Sequence, residues 1–302
     1  MNGPRSLPLE GLPMDILVST DWLAAELGAP DLVVLDATSF LPGQDKSAEA
    51  EFRRAHVPGA RRFDVDLIAD PESDLPHMVP SPARFARLVG ELGVSNASRV
   101  VLYDQNGTMW ATRAWWMLGL YGHDGAAVLD GGLAKWEREG RPVEQGSAPP
   151  ISPARFVPGW RAARVRGIGD VMAGLGGPDL VLDARSAGRF TGEAPEIRPG
   201  LASGHIPGSR NLPSSALLAP DGTLLPPSAL RAKLAAAGAD GSRPVVATCG
   251  SGVSATLVSF AMARAGLPPA AVYDGSWTEW GGRPDTPKEA GEAGPVETNH
   301  AR

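Results

Sequence analysis

The sequence has almost nothing with which to build covalent or metal cross-links. Cys249 is the only cysteine among 302 residues, so no disulfide forms within the chain and nothing indicates an oxidising compartment. Five scattered histidines and one thiol do not suggest a metal site, and we expect no cofactor. Stability must therefore come from buried apolar cores, for which the chain is long enough to form two domains.

Long apolar runs and an excess of positive charge are also missing. No stretch approaches the roughly 20 apolar residues that a bilayer-spanning helix needs. The N-terminus, MNGPRSLPLEGLPMDILVSTDW, is interrupted by prolines and acids where a secretory signal would be apolar. A formal charge of −6 argues against a nucleic-acid or anionic-membrane surface. We expect a cytoplasmic, soluble protein without a nucleic-acid or membrane partner.

The two halves of the chain repeat each other. Four segments of the first half recur in the same order in the second, offset by about 147 residues. The pairs are LVVLDATSF (32–40) with LVLDARSAGRF (180–190), HVPGARRFDVDLI (56–68) with HIPGSRNLPSSALL (205–218), RVVLYDQNG (99–107) with RPVVATCGSG (243–252), and LDGGLAKW (129–136) with YDGSWTEW (273–280). We infer a duplicated domain of about 140 residues.

Each copy alternates short β-branched runs with helical patterns. Residues 33–35 and 100–102 are typical of buried strands. The segment PARFARLVGEL (82–92) places four apolar side chains on one helical face: Phe85, Leu88, Val89 and Leu92. This alternation predicts an α/β fold with two tandem domains, each a mostly parallel sheet flanked by helices.

Composition sets the expected domain boundaries. We place the domains at 15–142 and 161–284. The intervening residues 143–160 are rich in proline, glycine and serine and are the predicted linker. Residues 285–302 form a polar tail that we expect to be poorly ordered.

The lone cysteine lies in ATCGSGVSAT (247–256), between a predicted strand at 244–248 and a helix expected to begin near Val253. Sites in open parallel sheets form beyond the carboxyl ends of the strands. Gly250 and Gly252 let the backbone curl so that its N–H groups point inward and, with the helix N-terminus, stabilise an anion. The thiolate is the nucleophilic form of cysteine. A buried core cysteine is the other interpretation, but this context favours a catalytic Cys249.

The first copy offers an internal comparison. It has Asp104 where the second copy has Cys249. Because a carboxylate cannot act as a sulfur nucleophile, we predict that the first copy is non-catalytic.

The paired HVPGA and HIPGS segments, the DGG and DGS segments, and the single loop cysteine resemble the tandem rhodanese-type sulfurtransferases over about residues 15–284. Within that family, CGSGVSAT is similar to the loop of enzymes that take sulfur from 3-mercaptopyruvate. Family members that use thiosulfate typically carry two basic side chains directly after the cysteine. This chain has the neutral Gly250 and Ser251 there. It also has Ser254 where the family usually has threonine.

The resemblance implies a substrate site. Arg189 and Arg198 match the two arginines that hold the substrate carboxylate, a role that suits the planar guanidinium fork. The remaining residues expected to contact substrate belong to the cysteine loop: Gly250, Gly252, Val253 and Ser254.

The resemblance also implies a Ser-His-Asp constellation. Ser251 would combine with His56 and with Asp45, which lies eleven residues before the histidine. A histidine held between a hydroxyl and a carboxylate moves protons in a defined tautomer. A purely structural His56 stays open, because His205 occupies the same turn of the other copy.

The implied activity moves sulfane sulfur from 3-mercaptopyruvate through a Cys249 persulfide to thiols, thioredoxin or cyanide, and releases pyruvate. Thiosulfate:cyanide sulfurtransferase activity and a non-enzymatic persulfide carrier stay open as alternatives. Phosphatases of this fold need arginine six residues after the cysteine, where this chain has Ala255. Phosphoryl transfer is therefore excluded.

Overall fold

The computed structural model describes residues 14–105 and 108–292, which contain two five-stranded sheets. The first sheet comprises β1 (Leu17–Val18), β2 (Leu32–Asp36), β3 (Arg61–Arg62), β4 (Arg99–Tyr103) and β5 (Ala126–Leu129), in the order β1-β5-β4-β2-β3. The second comprises β6 (Val165–Arg166), β7 (Leu180–Asp183), β8 (Arg210–Asn211), β9 (Val245–Thr248) and β10 (Ala271–Tyr273), in the order β6-β10-β9-β7-β8. All strand pairs are parallel and the two orders are equivalent, which confirms the predicted fold class.

Helices flank both sheets. The first half contains α1 (Thr20–Glu26), α2 (Ala48–Arg54), α3 (Val65–Ile68), α4 (Pro82–Glu91), α5 (Met109–Leu120) and α6 (Gly132–Arg138). The second half contains α7 (Ile168–Ala173), α8 (Ala187–Thr191), α9 (Pro227–Ala236), α10 (Ala255–Arg264) and α11 (Ser276–Trp280), with short 3-10 helices at Ala162–Arg164 and Ser214–Leu217. Within the described ranges, no helix is long and apolar enough to cross a bilayer.

The predicted helix at 82–92 corresponds to α4, which begins and ends where its sequence indicates. The Ser81 hydroxyl accepts a hydrogen bond from the N–H of Arg84, and Pro82 occupies the first turn, where its missing N–H costs nothing. Phe85, Leu88 and Val89 are buried. Leu92 is the half-buried C-cap.

Helices α5 and α10 join the two domains. Both are apolar on nearly every face, and residues 110–120 and 255–262 are all buried, as expected of helices enclosed on all sides. Trp115 and Phe260 meet edge to face with ring centroids 4.9 Å apart. The hydroxyls of Thr112 and Thr256 are 3.1 Å apart. One hydrophobic core therefore spans both halves and holds the cleft between them.

Two segments outside the predicted domains pack onto them. Glu144, at the start of the predicted linker, pairs its main chain with that of His56 at 2.9 and 3.0 Å. Glu289, in the predicted tail, pairs with His205 in the same way at 2.7 and 3.0 Å. The expectation of a poorly ordered tail is therefore wrong for residues 285–292, since main-chain pairing does not depend on side-chain polarity. Residues 293–302 lie outside the described part of the chain.

Candidate active site

Cys249 directly follows β9, the central strand of the second sheet. The residue is only 2% exposed. Its N–H donates to Ser276 Oγ at 3.2 Å, and that hydroxyl donates to the Tyr273 carbonyl at 2.7 Å. The Cys249 carbonyl accepts from the N–H of Trp277 at 3.0 Å. The start of α11 therefore holds both main-chain groups of the cysteine.

The loop after Cys249 presents unused hydrogen-bond donors. Within the described ranges, the N–H groups of residues 250–254 donate to no other group of the protein. In the first domain, the equivalent loop holds a carboxylate: Asp104 accepts from the N–H groups of Thr108, Trp110 and Ala111, each at 2.9 Å. In the first domain, N–H groups at the start of α5 thus hold a carboxylate at the position equivalent to the thiol. In the second domain, the same kind of loop surrounds a thiol.

Gly252 is required where the loop turns. Its φ of +74° lies in the left-handed region, and a Cβ there would come within 2.6 Å of the Asp274 carbonyl oxygen. Its own carbonyl accepts a hydrogen bond from Arg113 Nη1 at 3.1 Å. Glycine at this position therefore allows the loop to pack tightly between the two domains.

A cleft of about 50 Å³ opens in front of the thiol, with room for a few water-sized groups. Residues of both domains line it: Leu41, Met109, Arg189, Glu196, Ile197, Arg198, Leu201, Cys249, Gly250, Ser251, Val253, Ser254 and Thr278. Seven of the site residues predicted from the sequence therefore line the cleft: Arg189, Arg198, Cys249, Gly250, Ser251, Val253 and Ser254. Gly252 belongs to the same loop but does not line the cleft. His56 and Asp45 do not line this cleft.

A buried carboxylate orients Arg189. Glu196 Oε2 accepts from Arg189 Nε at 3.1 Å and Nη2 at 2.5 Å, while Oε1 accepts from Arg185 Nη1 at 2.7 Å. Arg185 is itself paired with Asp183 and lies over the Trp277 ring at 4.3 Å. Sequence reasoning missed Arg185 and Glu196. The available signal was an acid placed between two arginines in GRFTGEAPEIR.

Arg198 faces a histidine of the first domain. Its Nη2 lies 3.4 Å from His77 Nε2, and His77 Nδ1 lies 2.5 Å from Asp66 Oδ1. This hydrogen bond lowers the pKa of Asp66, and Arg198 lies beside Nε2 on the other side of the ring. Burial, together with the charge of Arg189, lowers the pKa of Arg198. A His-Asp pair therefore contacts Arg198, which lines the cleft, although neither His77 nor Asp66 lines it.

The predicted constellation of Asp45, His56 and Ser251 needs correction. His56 Nδ1 lies 2.8 Å from the Phe52 carbonyl, and its ring stacks on Phe52 with centroids 4.0 Å apart. Its Nε2 faces Glu144 at 3.7 Å. Asp45 is an exposed residue outside the cleft. Nδ1 therefore contacts the main chain of α2, while Nε2 faces Glu144 without a hydrogen-bond partner among the described residues, and neither contact involves the cysteine loop.

Duplication explains why His56 has this role. His205 repeats the arrangement, with its Nδ1 2.9 Å from the Phe190 carbonyl and its ring stacked at 3.8 Å. A contact present in both copies belongs to the fold, as the structural interpretation of His56 anticipated. His77 also lies eleven residues after an aspartate, so spacing alone did not distinguish the two histidines.

Comparisons with known proteins agree with this architecture. The profile of the rhodanese-like domain matches residues 19–139 and 169–283. The chain is 37% identical over 298 residues to thiosulfate/3-mercaptopyruvate sulfurtransferase 1, mitochondrial, from Arabidopsis thaliana, covering 92% of this chain and 79% of that protein. It is 38% identical over 274 residues to the 3-mercaptopyruvate sulfurtransferase of Escherichia coli K12, covering 90% and 97%. A crystal structure of an E. coli 3-mercaptopyruvate sulfotransferase matches with a TM-score of 0.79 at 34% identity, covering 87% and 99%. The chain belongs to the rhodanese-like family, with one such domain in each half.

Proposed function

We propose that this protein is a sulfurtransferase that moves sulfane sulfur from 3-mercaptopyruvate to a thiol or to cyanide and releases pyruvate. The observation that supports it most is the loop of unused N–H donors around Cys249, at the end of a cleft that carries Arg189 and Arg198. Its E. coli relative is named 3-mercaptopyruvate sulfurtransferase, and the name of its Arabidopsis relative gives both thiosulfate and 3-mercaptopyruvate.

The proposed chemistry is a displacement at sulfur. The Cys249 thiolate attacks the donor sulfur, the carbon–sulfur bond breaks, and its electron pair leaves as the enolate of pyruvate. The loop N–H groups and the Ser251 hydroxyl stabilise the negative charge. We propose that His77, whose Nε2 lies 3.4 Å from Arg198, takes the proton of the donor thiol and returns it to the enolate carbon, while Asp66 orients the ring. The products are a Cys249 persulfide and pyruvate.

The charge of the cleft supports a donor with a single negative charge. Among the lining side chains, Arg189 and Arg198 are cationic and Glu196 is anionic, which leaves one net positive charge besides the thiol. Glu196 already shares the Arg189 guanidinium. Gly250 and Ser251 add no charge beside the thiol. This balance suits the carboxylate of 3-mercaptopyruvate better than the dianion thiosulfate.

The persulfide needs an external acceptor. Cys249 is the only cysteine, so its outer sulfur cannot be resolved as an internal disulfide. We propose that small thiols, thioredoxin or cyanide receive it. Such thiols are kept reduced in the cytoplasm, which is the location that we propose.

Donor choice tests the proposal. We expect kcat/KM for 3-mercaptopyruvate to exceed that for thiosulfate by at least about tenfold, equivalent to ~1.4 kcal/mol in the transition state. Steady-state assays with both donors and cyanide as the common acceptor measure this ratio. A preference for thiosulfate would support thiosulfate:cyanide sulfurtransferase instead. A Cys249 persulfide that forms without turnover would support a non-enzymatic carrier.

A loop variant provides the control for donor choice. Gly250→Arg combined with Ser251→Lys places two cations beside the thiol, and we expect the ratio to move toward thiosulfate. A Cβ at Gly250 points at Arg189 Nη2, 3.0 Å away, so the added charge lies close to the carboxylate site. An unchanged ratio in this variant would contradict the charge argument.

Removing one arginine tests the carboxylate site. We expect Arg198→Ala to lower kcat/KM for 3-mercaptopyruvate about tenfold, because a charged hydrogen bond contributes at least about 1.5 kcal/mol. Arg189→Ala should show a similar loss. Arg53, whose side chain is exposed and paired with Glu49, is the matched control for arginine removal. Normal kinetics in both cleft variants would remove the carboxylate role.

A further inference from the structure

Arg113 belongs to the non-catalytic domain, yet its side chain reaches the catalytic loop. It projects from α5 and is fully buried. Its Nη1 donates to the Gly252 carbonyl at 3.1 Å, and its Nη2 donates to the His77 carbonyl. Nη2 also forms an ion pair with Asp274 Oδ1 at 2.7 Å. One guanidinium therefore contacts the cysteine loop, Asp274 of the second domain, and the turn at residues 77–79, here called the His77 turn.

We propose that Arg113 is a positioning residue for sulfur transfer, an inference that rests on the proposed function. In a trans peptide the C=O and N–H groups point in opposite directions. The bond from Arg113 draws the Gly252 carbonyl away from the cleft, so the N–H of Val253 turns toward the cleft, which Val253 lines. Arg113 thereby aims a donor at the site of the anion.

The same side chain supports the histidine. His77 has a φ of +62°, a left-handed conformation that non-glycine residues seldom adopt without support. Its carbonyl accepts from Arg113, and two residues later the N–H of Val79 donates to Asp274 Oδ2 at 2.8 Å. The pair of Arg113 and Asp274 thus holds both ends of this turn. Arg113 therefore bonds both the loop that contains Cys249 and the turn that contains His77.

Stability alone does not account for such a pair. A buried ion pair contributes little net stability, and apolar residues of similar volume usually replace it at no loss. A guanidinium instead supplies a rigid fork that bonds several acceptors in fixed directions, which an ammonium cannot do. In this arrangement the non-catalytic domain is needed for sulfur transfer, because it supplies Arg113.

The chain offers a matched control on the other side of the pseudo-symmetric interface. Asp130 Oδ1 accepts from the N–H of Leu224 at 2.8 Å, the counterpart of the bond between Asp274 and Val79. Asp130 is half-buried and does not line the cleft. Asp130→Asn therefore loosens a cross-domain contact without contacting the cysteine loop.

The experiment compares wild type, Arg113→Lys and Asp130→Asn with 3-mercaptopyruvate and cyanide. Lysine keeps the charge opposite Asp274 but cannot reach all three acceptors. We expect kcat of Arg113→Lys to fall at least about tenfold while KM stays within about twofold, because Arg189 and Arg198 still hold the donor. For Asp130→Asn we expect kcat within about twofold of wild type. Thermal unfolding shows whether both variants are folded.

The rate of iodoacetamide alkylation provides a second readout that does not depend on any donor. Cys249 is the only thiol, and we expect its alkylation at neutral pH to slow at least about threefold in Arg113→Lys, since misaligned N–H groups stabilise the thiolate less. An inactive wild type would contradict the proposed function, but the alkylation comparison would still test Arg113.

Two results would overturn the role of Arg113. One is wild-type kcat and alkylation in folded Arg113→Lys. The other is an equal fall of kcat in Asp130→Asn, which would assign the loss to general loosening of the interface. If Arg113→Lys does not fold, Arg113→Gln with Asp274→Asn removes both charges together, and the same kcat and alkylation criteria apply to it.

Discussion

We expect Cys249→Ser to lose sulfur transfer by more than about a thousandfold in kcat, because a serine hydroxyl is not ionised at neutral pH and does not carry sulfane sulfur. The fold should persist, since the substitution changes one atom and retains the main-chain bonds to Ser276 and Trp277. Unfolding free energy should stay within about 1.5 kcal/mol of wild type, as for other volume-conserving changes. Steady-state kinetics and thermal unfolding measure the two quantities.

Mass spectrometry tests the intermediate directly. After exposure to 3-mercaptopyruvate without acceptor, wild type should gain about 32 Da, one sulfur atom, on the peptide that contains Cys249. Cys249→Ser treated in the same way is the control and should gain nothing. Turnover at the wild-type rate in the serine variant would disprove the persulfide mechanism.

The second large effect separates the two histidines. We expect His77→Asn to lower kcat/KM about 100-fold, a typical loss for a positioned proton-transfer group. Asparagine tolerates the left-handed φ of +62° and keeps an amide near Asp66, so the change mainly removes Nε2, which faces Arg198. His56→Asn is the matched control. It breaks the contacts with Phe52, and we expect it to reduce stability while kcat/KM stays within about twofold of wild type.

The paired variants make the assignment of the histidines testable from both sides. Normal kcat/KM in His77→Asn would remove His77 from proton transfer. A large loss in folded His56→Asn would instead restore the constellation with Asp45 that its spacing suggested. Kinetics at several pH values, with unfolding measured in parallel, distinguish a lost proton relay from a destabilised domain.

The sequence alone determined the features that depend on neighbouring residues. Between residues 244 and 264, a strand pattern is followed by the cysteine, two glycines and a helix pattern. The loop of Cys249 was therefore identifiable from the periodicity of apolar residues and the positions of the glycines. Helix α4 was predicted for the same reason. Duplication also lies in the sequence, and it indicated two equivalent parallel sheets. The substitution of Asp104 for Cys249 distinguished the copies, because side-chain chemistry is local information.

Only the tertiary structure decided which distant residues meet at the cleft. Asp66 and His77 have the same spacing as Asp45 and His56, and separation along a chain does not determine where a side chain points. The packing of α5 on α10 brings the His77 turn of one domain against Arg198 of the other. The same packing carries Arg113 beneath the cysteine loop. Contacts made between domains depend on the angle at which helices pack, which the local periodicity of the sequence does not encode.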